Sequence, residues 1–120
     1  MLLIKPMEFP LRNKSYSFAL RIIKLYKYLT TKKNEYVLSK QVLRSGTAIG
    51  ALISEAKFGQ SKADFISKMN IALKEANETE YWLSLLKNSE YITGKEYRSL
   101  SKDVNELISM LVSTVKTLKK

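Results

Sequence analysis

An all-α fold, an antiparallel up-down-up-down four-helix bundle, is what three observations predict. Apolar residues recur at steps of three and four along four segments of the 120-residue chain. Short stretches of capping and turn residues separate those segments. No alternating, strand-like run of useful length competes, and no internal repeat is visible. A chain this long holds one core, so residues 1–12 are expected as an N-terminal extension and 13–120 as the bundle.

The first helix is expected over about 13–31. Phe18, Ile22, Leu25 and Leu29 form its stripe, widened by Ala19, Ile23 and Tyr26. Asn13 or Ser15 can cap it, and Thr30-Thr31-Lys32-Lys33-Asn34 closes it with poor helix formers and positive charge. The second helix, about 35–58, carries Leu38, Val42, Ile49, Ile53 and Ala56, with Gly59 as its stop. Ser61-Lys62-Ala63-Asp64 resembles a capping box and opens the third helix, about 62–88. Phe65, Ile66, Met69, Ala72, Leu73, Ala76, Leu83 and Leu86 make its apolar face. Thr93-Gly94-Lys95-Glu96 is a second capping box, opening the fourth helix at about 94–119. There Tyr97, Leu100, Val104, Leu107, Leu111 and Leu118 form a bundle seam, broadened by Val112 and Val115. Short connections make consecutive helices antiparallel neighbours.

Composition narrows the chemistry. The chain has no cysteine and no histidine, which removes thiolate metal sites, the commonest metal ligand and the commonest general base. No cofactor and no catalytic residue is expected. Glu55, Glu75, Glu78 and Glu80 place carboxylates within the bundle, but di-iron bundles use Glu-x-x-His pairs. A carboxylate-only Mg²⁺ or Ca²⁺ site is the metal alternative that remains. Met1-Leu2-Leu3-Ile4 is too short for a signal peptide's apolar region, and no run approaches membrane-spanning length. A cytoplasmic protein without a membrane partner is expected.

Net charge is +10 and unevenly spread: residues 1–34 hold eight Lys/Arg against one acid. Such a balance favours an anionic partner such as RNA or DNA, although a solvated lysine-rich surface explains the composition equally well. The candidate nucleic-acid contacts are Lys14, Arg21, Lys24 and Lys27 of the first helix with Lys116 and Lys119 of the fourth. Tyr16, Leu20 and Tyr28 interleave with the basic residues, a pattern suited to phosphate contact with base stacking, and equally to a subunit interface. Tyr81-Trp82-Leu83 spans more of a helix than one core needs, so Tyr81 and Trp82 join Tyr16, Leu20 and Tyr28 as candidate oligomer contacts.

The stretch RSGTAIGALISEA of the second helix carries Gly46 and Gly50, each costing a helix about 1 kcal/mol relative to alanine. Gly46, Gly50 and Ser54 form a smooth strip for close helix packing, within the chain or between subunits. An antiparallel turn near Gln60 sets Gly46 level with Leu73 and Lys74, and Gly50 level with Met69 and Asn70. The same register brings Arg44 to Glu75 and Glu78, predicting a structural ion pair. At a close contact, an added methyl at Gly50 is expected to overpack.

Several of these stretches occur together in one family. Lys14–Ala19, Leu25-Tyr26, Glu35–Gln41, Arg44–Ala51, Glu55-Ala56 and Ala72–Leu83, in this order, resemble the bacterial four-helix-bundle proteins encoded in intervening sequences of large-subunit ribosomal RNA genes. That family is sometimes labelled a ribosomal protein. The resemblance covers roughly residues 14–87. It implies a four-helix bundle, a ring-like homopentamer and no known catalytic activity. The chain is also similar to the accessory variability determinant of diversity-generating retroelements, a basic pentamer that binds nucleic acid and partners a reverse transcriptase. The family pattern often has Asn and a small residue where this chain has Leu52 and Ser54.

Two functions compete on this reading. One is a non-enzymatic, oligomeric, basic bundle that binds RNA or DNA through Lys/Arg of the first and fourth helices. The alternative is a protein–protein assembly module, binding its own copies or a partner protein without nucleic acid.

Overall fold

The computed structural model describes residues 8–119 as four α-helices: α1 (Glu8–Lys32), α2 (Leu38–Ala56), α3 (Lys62–Asn88) and α4 (Gly94–Lys119). They lie antiparallel in chain order within an envelope of 44 × 20 × 18 Å. Each helix packs on its sequence neighbours, and α4 closes the square against α1. The α1–α4 seam is the sparsest of the four.

Helix α1 begins at Glu8, not near residue 13. Pro10 sits in its first turn, where a missing amide proton costs nothing because those amides have no intrahelical acceptor. The expected extension therefore shrinks to residues 1–7, which lie outside the described residues. Leu11, assigned to that extension from sequence, is wholly buried in the core with Phe18, Ile22 and Leu29.

The α1–α2 connection corrects a second boundary. Glu35 precedes α2 instead of opening it. Asn34 takes a left-handed conformation (φ 54°), which asparagine tolerates, and the Glu35 amide donates to the Leu29 carbonyl at 2.9 Å. The buried Glu35 carboxylate then accepts the amides of Val37, Leu38 and Ser39 at 3.2, 3.0 and 2.7 Å. It serves α2 as a cap from outside the helix.

At the other end, α2 stops at Ala56, before Gly59. No glycine adopts a positive φ among the described residues, so Gly59 is not the left-handed terminator expected of it. It is there for space: a Cβ built on it lies 3.1 Å from the Ala56 carbonyl oxygen and 3.4 Å from the Phe65 nitrogen.

Both caps form at the expected positions, the first as a one-way cap and the second as a reciprocal box. The Ser61 hydroxyl accepts the Asp64 amide at 3.1 Å. The Thr93 hydroxyl accepts the Glu96 amide at 3.1 Å while the Glu96 carboxylate accepts the Thr93 amide at 2.8 Å. Helix α3 ends in a Schellman motif: the Tyr91 amide donates to Leu86 at 2.9 Å and the Glu90 amide to Lys87 at 3.0 Å, with Glu90 left-handed at φ 66°.

The core collects the apolar stripes of all four helices. Polar groups inside it are paired across seams. The buried Ser45 and Thr79 hydroxyls are hydrogen-bonded at 2.9 Å between α2 and α3. Between α3 and α4, Glu80 accepts the Tyr97 phenol on one oxygen and the Ser101 hydroxyl at 2.8 Å on the other. Among the described residues, no buried side-chain nitrogen or oxygen lacks a partner.

The glycine strip faces differently from its expected register. Gly46 and Gly50 turn toward α1, not α3. A Cβ at Gly46 meets Ile22 Cγ1 at 2.8 Å and Cγ2 at 2.9 Å, and a Cβ at Gly50 meets the Ser15 carbonyl oxygen at 3.4 Å. Residues Arg44 and Ser45 point to α3, so a shift of one or two positions carries the glycines round the helix to the next seam. The close packing is within the chain.

Candidate nucleic-acid interface

Lys14 and Arg21 stand on the α4 side of α1, and at steps of three residues Lys24 and Lys27 turn progressively away from the core. Because α4 runs antiparallel beside them, its acids meet the first two. Lys14 forms an ion pair with Glu106, and Arg21 donates to Asp103 at 2.6 Å and to the Ser99 hydroxyl at 2.8 Å. Hydrogen bonding to the Glu106 carboxylate raises the Lys14 ammonium above its ordinary value; desolvation works against it, and the charges of Glu106 and Asp103 add to the rise. These two cations clasp the sparse α1–α4 seam.

Lys24 and Lys27 are exposed and form no ion pair among the described residues. Lys24 lines a groove of about 520 Å³ between α1 and α4 with Leu25, Tyr28, Lys95 and Leu100. Lys95, which stands inside the second capping box, escaped selection from the sequence. Its signal was the antiparallel register, which sets residue 96 of α4 level with residue 24 of α1, and so Lys95 beside it, once Arg21 is placed beside Ser99. A second groove of about 350 Å³ adjoins at the end of the bundle, where Lys33 and Lys87 join Tyr28. Lys33 holds its ammonium 5.9 Å from the Tyr28 ring centroid, and Lys87 lies 5.3 Å from that of Tyr97.

Lys116 and Lys119 are exposed on the last turns of α4. From Ser99, beside Arg21, to Lys116 the helix rises roughly 25 Å at 1.5 Å per residue. The structure therefore does not gather the six candidate cations into one site. Lys24 and Lys27 belong to one end, and Lys116 and Lys119 to the other.

The candidate oligomer residues also divide. Tyr16, Leu20 and Tyr81 are 67%, 49% and 57% exposed. Tyr28 and Trp82 are half-buried against the core of their own chain, and the Trp82 indole donates to Glu78 at 3.1 Å. Beside Trp82, Arg44 spans α2 to α3: one guanidinium nitrogen lies 3.2 Å from both Glu75 oxygens and the other bonds Glu78. With its side chain 51% exposed, Arg44 makes a surface contact worth at most about 1 kcal/mol.

These clasps lie within the part of the chain that a family model matches. Residues 8–113 match the family model of the 23S rRNA-intervening sequence protein. The chain belongs to this family. Among solved structures, a protein with unknown function from the S23 ribosomal protein family of Bacteroides thetaiotaomicron is 55% identical. That match covers 92% of this chain and 98% of the other, with a TM-score of 0.91. Comparison with curated proteins found no match.

In this member of the 23S rRNA-intervening sequence family, no helix among the described residues is long and apolar enough to cross a membrane. Nor do three Asp or Glu residues cluster as metal ligands among the described residues. Glu75 and Glu78 are taken by Arg44, and Glu80 by Tyr97 and Ser101.

Proposed function

We propose that the chain is a non-enzymatic, oligomeric, basic helical-bundle protein of the cytoplasm that binds RNA or DNA through lysines of α1 and α4. One observation supports this most. Lys24 and Lys27 on α1, with Lys95 across the seam, stand exposed without acidic partners among the described residues, whereas Lys14 and Arg21 are neutralised within the bundle. Unpaired lysines displace the cations condensed on a nucleic acid when they meet its phosphates, and paired ones must first break a contact. Lys116 and Lys119 extend the positive surface to the far end of α4.

Mobility-shift titrations against structured ribosomal RNA, single-stranded RNA and duplex DNA test the reading. Affinity should fall by orders of magnitude between about 50 and 200 mM salt. The double variant Lys24→Glu/Lys27→Glu should weaken binding, and Lys14→Gln should leave it nearly unchanged. Absence of any shift at low salt overturns nucleic-acid binding.

Exposed Tyr16, Leu20 and Tyr81 favour the assembly reading alongside it. The family resemblance implies five copies. Sedimentation equilibrium at micromolar concentration should return a multiple of 13.8 kDa, and a monomer would dismiss the oligomer.

A further inference from the structure

We infer that the α1–α4 seam is a binding trough for a single strand of nucleic acid, with phosphates on Lys24 and Lys95 and one base stacked at Tyr28. The inference rests on the nucleic-acid reading above and adds to it the strandedness of the ligand and the place of a base.

The two grooves at this end share Tyr28 and Glu96, so they form one trough with the phenol ring where they meet. Leu25 and Leu100, both nearly buried, provide an apolar floor between the lysine-bearing walls. An apolar floor with cationic rims matches a nucleotide, which has a flat apolar base face and a charged phosphate edge. Glu96, an acid common to both grooves, spends its carboxylate on the Thr93 amide, which lessens its repulsion of a phosphate. Arg21 is fixed by Asp103 and Ser99 and shapes the wall without offering a free charge.

Strandedness follows from the aromatic. Tyr28 is half-buried and packed on the core, so its ring is already ordered. A duplex keeps its base faces inside the stack and cannot offer one to a ring set in a groove, whereas a single strand can. Lys33, the ammonium now beside the ring, is the group a base displaces. That exchange is favourable because an exposed cation–π contact is weaker than base–aromatic stacking, and the freed lysine is left near phosphate.

The test uses the full chain and oligonucleotides of about 12 nucleotides, a length within the range that single-strand sites occupy. RNA and DNA versions carry 5-iodouracil for photo-crosslinking, and a duplex of the same sequence competes. The expected crosslink maps to the peptide containing Tyr28. Tyr28→Leu should weaken single-strand binding about tenfold, with Tyr28→Phe close to the parent. Lys24→Gln and Lys95→Gln should each lower the salt slope by about 0.7. Tighter binding of the RNA version identifies RNA as the ligand, and equal binding identifies either strand.

Single-strand binding without a crosslink at Tyr28, or a preference for the duplex, overturns the trough while leaving nucleic-acid binding intact. Failure of every probe to bind overturns both. Should Tyr28→Leu not fold, the crosslink on the unaltered chain decides alone.

Discussion

Gly46 on α2 lies directly against Ile22 on α1, so closely that a Cβ on the glycine would stand 2.8 Å from Ile22 Cγ1. Ile22 is wholly buried and β-branched, with one strongly preferred rotamer in a helix. It cannot turn away. Four residues on, Gly50 leaves an ordinary 3.4 Å to the Ser15 carbonyl and hydroxyl oxygens.

The two glycines should therefore respond oppositely to alanine. At Gly46, overpacking of about 1–3 kcal/mol outweighs a propensity gain of at most about 1 kcal/mol, so Gly46→Ala should lower stability. Gly50→Ala should raise it by up to about 1 kcal/mol, which reverses the overpacking expected there from sequence. Thermal melts of both variants decide, and a stabilised Gly46→Ala would contradict the Ile22 contact.

Glu35 should matter more than a loop acid ordinarily does. Removing its carboxylate strands three amides at the start of α2 and one favourable charge near the helix N-terminus. Glu35→Ala should cost about 2 kcal/mol in urea unfolding. A change below roughly 0.3 kcal/mol would show that water caps α2 equally well.

Glu90 occupies the left-handed position of the α3 terminator, where most side chains are strained by about 1–2 kcal/mol. Glycine relieves that strain at a chain-entropy cost of about 0.5–1 kcal/mol. Glu90→Gly should thus stabilise by about 0.5–1 kcal/mol, read as a higher denaturation midpoint. A lower midpoint would count against the motif.

Tyr97 gives the fold a pH dependence. Its phenol titrates above the ordinary value of 10.0, chiefly because the protonated form donates to Glu80. A raised folded-state value means that this stabilisation is complete below pH about 10 and disappears as pH rises through the shifted value. Between pH about 9 and 11 the parent should lose more stability than Tyr97→Phe. Equal losses in urea titrations would separate Tyr97 from the alkaline transition.

Helix number, type and antiparallel order were legible in the sequence because apolar periodicity and capping chemistry act locally. The boxes at Ser61 and Thr93 need only residues three positions apart, and α3 and α4 start where those boxes predict. Errors fell where a remote or unusual partner decides. Pro10 reads as a breaker unless it occupies a first turn. Glu35 reads as helix unless its carboxylate is seen folding onto the amides ahead of it.

The site was legible only as a list of cations. Spacing along α1 marked Arg21, Lys24 and Lys27, with Tyr16, Leu20 and Tyr28, as lying off the core stripe, and Lys14 joined them as a candidate cation. Which of them keeps a free charge depends on two acids of α4, Asp103 and Glu106, pairing with Arg21 and Lys14 and not with Lys24 or Lys27. Likewise the glycine strip was visible as a strip, but its rotation toward Ile22 came from the packing of α1 on α2. A chain determines its helices through neighbours a turn away. Charge neutralisation and steric contact depend on atoms a few ångströms apart in space, and only the assembled bundle sets those distances.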